Sequence, residues 1–520
     1  MQTDTQDIAG SISVGYRTLL TVVVMVGSFM AILDTTVVDV IVPKMMGPLA
    51  TDLYGVQWVI TSYMTAAAVA LLLTHSLGGV LGLKRLFIIG LAVFTVASAF
   101  CGLAGTLPQM IVSRVVQGIG EAFIMASAQT ILFLIYPPEK RGLAMGIYAM
   151  GVSFAPSLGP TIGGWITEHL DWRWVFYINL PTGALNLVAA AFFLPKMPGT
   201  SSRLQFNFRS YLLLGGFTVS LLILLSKGQQ LGWGQSTLIG LLGYGSALLF
   251  AFYLLSELHS TRPLIDFGIF RDRVYSLSMG FYFLVLGLSI YQIFYLLPLY
   301  YENLKGLSTF DTGVHMLIFA IFIAIFSPLA GILSDRFGAQ KVLLVSTSIY
   351  LVTSYFLLPS LNYYTPATRA ALLTIPLGIS LGSFFAPLSA LALRNLGAYT
   401  ALGVSLMHYL RFVGGSLGTA IATNTLEKSA AVHYEGITVM QNTGHLQNRI
   451  LALADILGAG LETAAIKAQL LLTGLQRLHA TSWAFQDTFR HGFWFALAGS
   501  SFLVAILWIL RHDGKEGLDH

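Results

Sequence analysis

Four ionisable residues sit where an ionisable residue is expensive. Asp34 and Asp39 lie in the stretch Leu33 to Pro43 (LDTTVVDVIVP), part of an apolar run long enough to cross a bilayer, and Arg114 and Glu121 lie in a second such run. A carboxylate at mid-membrane costs roughly 2.5–3.5 kcal/mol on insertion scales, so a chain keeps one only where it faces protein or water and acts there. The chemistry open to these residues is proton exchange. Loss of water favours the protonated acid and a nearby guanidinium favours the ionised one, so an arginine that moves toward or away from an acid releases or loads a proton. Counted from the outer helix ends at 1.5 Å per residue, Asp34 is about 13 Å deep, Arg114 about 9 Å and Asp39 about 6 Å. Arg114 is thus at a depth reachable from either acid. At 100° per residue the two acids are about 140° apart and are expected to point different ways. Asp39 also suits a helix-end acid within reach of headgroups. Arg114 reads equally as a fixed ion pair that pins its helix. Glu121, two turns from Arg114 on nearly the same face, reads as a further proton site or as a satisfied core acid.

The elements that must hold these groups are membrane helices. The chain has 520 residues, 55% hydrophobic and 10% charged, with a mean hydropathy of +0.75; soluble domains run nearer about 25% charged. Each span needs about 20 apolar residues, and the sequence supplies fourteen such runs: 17–43, 55–78, 86–106, 108–136, 142–167, 174–194, 209–226, 236–258, 275–301, 312–333, 341–360, 368–393, 401–426 and 488–511. With both termini inside, sixteen Lys and Arg residues, among them Arg17, Lys84, Arg85, Lys140, Arg141, Arg271, Arg336 and Lys341, fall on the inner side. Five (Lys44, Arg173, Lys227, Lys305 and Arg369) fall in short outer loops or helix ends, which sets the orientation by the positive-inside rule. Residues 1–16 are polar with no cleavage-type small-residue site, so the first span reads as an uncleaved anchor.

Other function classes find no support. The single cysteine, Cys101, lies in an apolar run, excluding a disulfide framework and a cysteine-ligated metal. Eleven histidines show no HExxH spacing, and no P-loop pattern is present. The net charge of +5 comes from bases scattered among hydrophobic runs rather than a nucleic-acid patch. No cofactor or metal is expected, and an enzyme would need a soluble catalytic domain that is not visible.

The two halves repeat weakly. Ser153–Ile166 (SFAPSLGPTIGGWI) and Arg411–Ile421 (RFVGGSLGTAI) share Ser-Leu-Gly, which makes the fifth and thirteenth runs the fifth helices of two six-helix units. The expected organisation is a cytoplasmic tail (1–16), a six-helix bundle (17–200), two inserted helices (201–265), a second six-helix bundle (266–426 and 488–511), an outer segment (427–487) and an inner tail (512–520). Internal repeats of this kind mark transporter folds that rock around a midplane site. The outer segment is polar with helix-like patterning at Leu461–Leu478; it reads as a connector or as a docking surface for a periplasmic partner.

Four stretches carry a family resemblance: LDTTVVDVIVP (33–43) followed by QWVITSY (57–63), RVVQGIG (114–120), GVSFAPSLGPTIGG (151–164) and GILSDRFGAQK (331–341). With these motifs in this order, the chain resembles the 14-span drug:proton antiporter branch of the major facilitator superfamily, the EmrB/QacA type. The resemblance implies an all-α membrane fold and proton-coupled export of amphipathic or hydrophobic small molecules from the bacterial inner membrane. The resemblance fits proton coupling through the four ionisable residues read above, Asp34, Asp39, Arg114 and Glu121. It also implies a gate at Gly151, Pro156, Gly159, Pro160, Gly163 and Gly164, where small-xxx-small spacing permits close packing and proline favours a bend; a packing seam without motion fits the same residues. A cytoplasmic latch is implied at Gly331, Asp335, Arg336, Gly338 and Lys341. Arg411, His408, Gln117, Tyr291 and Tyr295 are candidate cavity residues, with Arg411 placed either to bind an anionic substrate or to balance Asp34. Two departures stand out. Position 39 is usually Asn in the family, so Asp39 adds a potential proton site or favours a cationic cargo. Gly79 stands where the loop between the second and third spans normally carries an acid, so the latch is expected to rest on the second half or on other contacts. A dedicated exporter of a fatty acid, siderophore or polyamine would carry the same motifs. EmrB-like relatives also imply a periplasmic adaptor and an outer-membrane channel as partners.

Overall fold

The structure, a computed structural model, describes residues 12–197, 199, 206–260, 263–440, 448, 452 and 461–516. Parts of the expected tails, of the 201–265 connection and of the 427–487 segment lie outside these residues. Among the described residues there is no strand. The first bundle holds α1 (Val14–Met45), α2 (Trp58–Leu81), α3 (Leu83–Leu103), α4 (Leu107–Ile135), α5 (Arg141–His169) and α6 (Asn179–Phe193). The inserted pair is α7 (Phe208–Leu231) and α8 (Thr237–Leu258). The second bundle holds α9 (Arg273–Leu304), α10 (Thr309–Phe337), α11 (Ala339–Ser360), α12 (Ala367–Leu393), α13 (Thr400–Met440) and α14 (Leu461–Glu516).

Helix boundaries follow local chemistry. Ser13, Thr106, Asn207, Ser236 and Ser308 each accept a backbone N–H in the first turn of the helix that follows, which satisfies a donor that has no intrahelical partner. Gly82 (φ 81°) breaks α2 from α3 and Gly338 (φ 94°) breaks α10 from α11. Equivalent turns in the two halves thus use a residue without a Cβ penalty.

Thirteen helical segments among the described residues are long and apolar enough to cross a membrane. The expected run 401–426 is not one of them. It is helical, within α13, but it carries His408 and Arg411, and Leu402 to Val413 is largely buried. A helix enclosed by its neighbours has no need of a uniformly apolar surface.

Small residues set the spacing between helices. A Cβ built on Gly120 would stand 2.6 Å from the Phe94 nitrogen, and one on Gly118 would stand 2.4 Å from the Tyr63 carbonyl. These glycines let α4 press against α3 and α2 at backbone contact.

Between the bundles, α5 lies along α10 and α2 packs against α13. The fifth helix of each half therefore meets the second helix of the other, as a pseudo-twofold repeat requires. The inserted α7 packs on both α2 and α13, through Thr61–Ser226 (2.8 Å) and Thr218–Tyr409 (2.8 Å) hydrogen bonds.

The last two helices outrun their apolar cores. At 1.5 Å per residue, α13 and α14 are about 61 and 84 Å long, against a hydrocarbon thickness of about 30 Å. Hydropathy placed helix ends at 426 and 488; the helices instead run to Met440 and begin at Leu461. Backbone hydrogen bonding continues through good helix formers whether or not lipid surrounds them. The extensions pair beyond the apolar core through a His433–Asp487 contact of 2.6 Å, and His479 meets the Tyr364 hydroxyl at 3.2 Å.

Gly120→Ala should lower the melting temperature of the purified protein in detergent, at a cost of about 1–3 kcal/mol, because backbone on α3 has to move. An unchanged melting temperature would mean that α3 and α4 are not held at this distance.

Candidate functional site

Asp34 on α1 is buried, at 2% exposure, beside Arg114 on α4 at 1%. Arg114 Nη1 donates to Asp34 Oδ2 at 2.7 Å. The other carboxylate oxygen accepts from Gln117 Nε2 at 3.0 Å and from Asn179 Nδ2 on α6. Gln117 Oε1 accepts from Arg114 Nη1 at 2.6 Å, while its Nε2 also donates to Ser98 Oγ on α3 at 2.7 Å. Arg114 Nε donates to the Val59 carbonyl at 3.2 Å, and its guanidinium lies 3.8 Å from the centre of the Tyr63 ring. Residues of α4 and α6 touch the carboxylate of α1, and α2 and α3 join the network through Arg114, Gln117 and Asn179. Removing one partner of such a pair leaves an uncompensated buried charge, worth about 3–5 kcal/mol.

Asp39 takes no part in this pair. It is exposed. The rotation of about 140° between the acids therefore separates a sealed carboxylate from an accessible one.

Glu121 is buried, and its Oε2 has no hydrogen-bond partner. It lies within electrostatic reach of Arg411 on α13 and beside Tyr63. Tyr148, Tyr282 and Tyr291 lie within electrostatic reach of Arg411, whose guanidinium is 5.3 Å from the Phe412 ring centre. His408 Nε2 meets the Tyr148 hydroxyl at 3.3 Å. Tyr291 packs its ring on Gly415, and Tyr295, like Tyr291, is half-buried. Gln117, expected as a cavity residue, instead lies fully buried within the Asp34 cluster.

The glycine-rich helix α5 runs unbroken through Pro156 and Pro160. Gly159 faces Thr36 of α1, where a Cβ would stand 2.9 Å from the Thr36 carbonyl carbon. Gly164 faces Phe310 of α10 at 3.1 Å, Gly151 faces the Met25 methyl, and Gly163 is buried. Thus α5 is wedged between the helix that carries both acids and the other half of the molecule.

At the N-terminus of α5, Asp335 accepts from the Gly142 and Leu143 amides at 2.7 and 2.8 Å. A carboxylate there meets the positive end of the α5 dipole. A Cβ on Gly331 would stand 2.3 Å from the Gly142 carbonyl oxygen. Arg336 and Lys341 are exposed. On the other seam, Thr74 and Ser405 hydroxyls bond at 2.7 Å, five residues before Gly79, where the first half lacks its acid.

Asn179 and Ser98 were missed by sequence reasoning. Asn179 had a signal, an amide within an apolar run. Ser98 had none, because serine is common in membrane helices.

The profile described as Major Facilitator Superfamily matches residues 24–419. The chain is similar to the multidrug export protein EmrB of Haemophilus influenzae, 27% identical over 96% of each chain. It is similar also to a tetracenomycin C resistance and export protein of Streptomyces glaucescens, 32% identical over 81% of this chain and 79% of that one. Among solved structures it is similar to the proton:xylose symporter XylE, with a TM-score of 0.59 at 13% identity, covering 95% of this chain and 97% of that one.

Arg114→Ala should destabilise the protein by about 3–5 kcal/mol, and Asp34→Asn combined with Arg114→Gln should recover part of the loss. Thermal unfolding in detergent checks this; a single variant as stable as the parent would show that the pair is not buried. Asp335→Ala should raise the labelling of cysteines introduced along the inner α5–α10 seam several-fold, with unchanged labelling counting against the latch.

Proposed function

Because the chain belongs to the major facilitator superfamily, we propose that it is a proton-coupled exporter of amphipathic or hydrophobic small molecules, working by alternating access in the bacterial inner membrane. The observation that carries this reading is the buried Asp34–Arg114 pair at 2.7 Å. Protonation of Asp34 neutralises the acceptor of Arg114, so Arg114 no longer holds α4 to α1. Because α5 packs on α1 at Gly159 and on α10 at Gly164, a shift of α1 reaches the seam between the bundles. Asp39, exposed on the same helix, supplies an entry point for protons from the outer side.

In the cycle, proton loading favours opening of the inner seam, where Asp335 and the Thr74–Ser405 contact separate. Substrate enters from the cytoplasm or inner leaflet, the proton leaves to the inside, and rocking of the bundles opens the outer face. One charge moving inward across about 150 mV contributes roughly 3.5 kcal/mol, enough for about a few-hundred-fold gradient of a neutral substrate. The multidrug and tetracenomycin export relatives support the direction and the class of cargo. The paired extensions of α13 and α14 offer a rigid outer surface for a periplasmic adaptor that continues the route to an outer-membrane channel.

Efflux of a fluorescent dye from everted vesicles under a proton gradient tests this, with Asp34→Asn and Asp39→Asn measured separately. Asp34→Asn is expected to abolish gradient-driven transport, and Asp39→Asn to slow it less than about tenfold. Full coupling in Asp34→Asn would remove the mechanism.

A further inference from the structure

One buried charge is left without a partner. Asp34 is taken by Arg114, so Arg411 does not balance it. Arg411 is 7% exposed, and among the described residues it makes no ion pair and donates no hydrogen bond. An isolated guanidinium is among the costliest groups to bury, and membrane helices retain one where an ion path or ligand requires it.

Further polar groups near Arg411 are also unpaired. The Tyr282 hydroxyl and His408 Nδ1 are buried with no hydrogen-bond partner, and Tyr148 and Tyr291 lie within electrostatic reach of the guanidinium. From Tyr282 to Ile290, α9 widens into a π-helical segment, a distortion that recurs at functional sites. The tight approach of Gly287 to Gly414 and Gly418 holds that segment against α13. Glu121 is the acid in electrostatic reach, but it forms no ion pair with Arg411 and its own Oε2 is unpartnered.

Resting on the exporter reading, we propose that Arg411 is the counter-ion for an acidic cargo: an amphipathic molecule with one carboxylate or sulfonate on a flat apolar body. The guanidinium fork takes two oxygens of the acid group, the Tyr282 hydroxyl donates to it, and the tyrosine rings cover the apolar body. One proton inward against one monoanion outward moves net positive charge inward, so an inside-negative potential drives the exchange.

The test compares a permanently ionised aryl sulfonate with the neutral sulfonamide of the same ring system. Binding is read by tryptophan quenching of the full-length protein in detergent, and transport in proteoliposomes. The parent protein should bind the sulfonate at least about tenfold more tightly than the sulfonamide. Arg411→Gln should erase that ratio, and Arg411→Lys should keep part of it, because lysine supplies the charge without the fork. No preference in the parent, or a preference that survives Arg411→Gln, overturns the assignment. A cationic dye bound and exported in place of the sulfonate also overturns it, and leaves proton-driven export intact. Acid preference without gradient-driven efflux of any probe supports the Arg411 site and removes the exporter reading instead.

Discussion

Two opposite charges held 2.7 Å apart at almost no exposure organise the first half of this molecule. Coulomb attraction between unit charges grows as the effective dielectric falls, from about 1 kcal/mol at 4 Å in water to about 4 at an effective constant of 20. The desolvation cost grows alongside it, and a buried pair survives only when its remaining hydrogen-bonding capacity is met. Here it is met in detail. Gln117 and Asn179 complete the carboxylate, and the Val59 carbonyl and the Tyr63 ring complete the guanidinium. With Ser98 of α3 bonded to Gln117, α1, α2, α3, α4 and α6 are locked into one body around a single carboxylate.

This body meets the other half of the molecule through α5, whose glycines bring it to backbone contact with α1 on one side and α10 on the other. Its N-terminus is held by Asp335 from the opposite half. The two seams are not equivalent. The α5–α10 seam has a carboxylate on a helix N-terminus, whereas the α2–α13 seam has two bonded hydroxyls and is covered by the inserted α7. The pseudo-symmetric fold thus has unlike contacts on its two seams.

Much was legible before any coordinates. Fourteen apolar runs, the charge bias of the loops and the order of the four motifs led to two six-helix bundles with an inserted pair, and to Asp34 and Arg114 at matching depth. The expectation that the two acids point apart also followed from helix geometry alone. Less legible were the lengths of α13 and α14, because hydropathy marks where lipid begins and ends rather than where a helix does. The weak hydropathy of the 401–426 run is the reverse case, since a helix screened by its neighbours can carry Arg411 and His408.

The sequence by itself determined the architecture, because the bilayer admits few ways to satisfy a backbone and the side-chain pattern states which was used. Only the tertiary structure decided which charges meet. Partner choice depends on rotation and separation at the scale of a hydrogen bond, and these are set by glycine contacts distributed over many helices. Hence Arg114 went to Asp34 with Gln117 and Asn179 in support, Asp39 was left accessible, and Arg411 was left without an ion pair among the described residues.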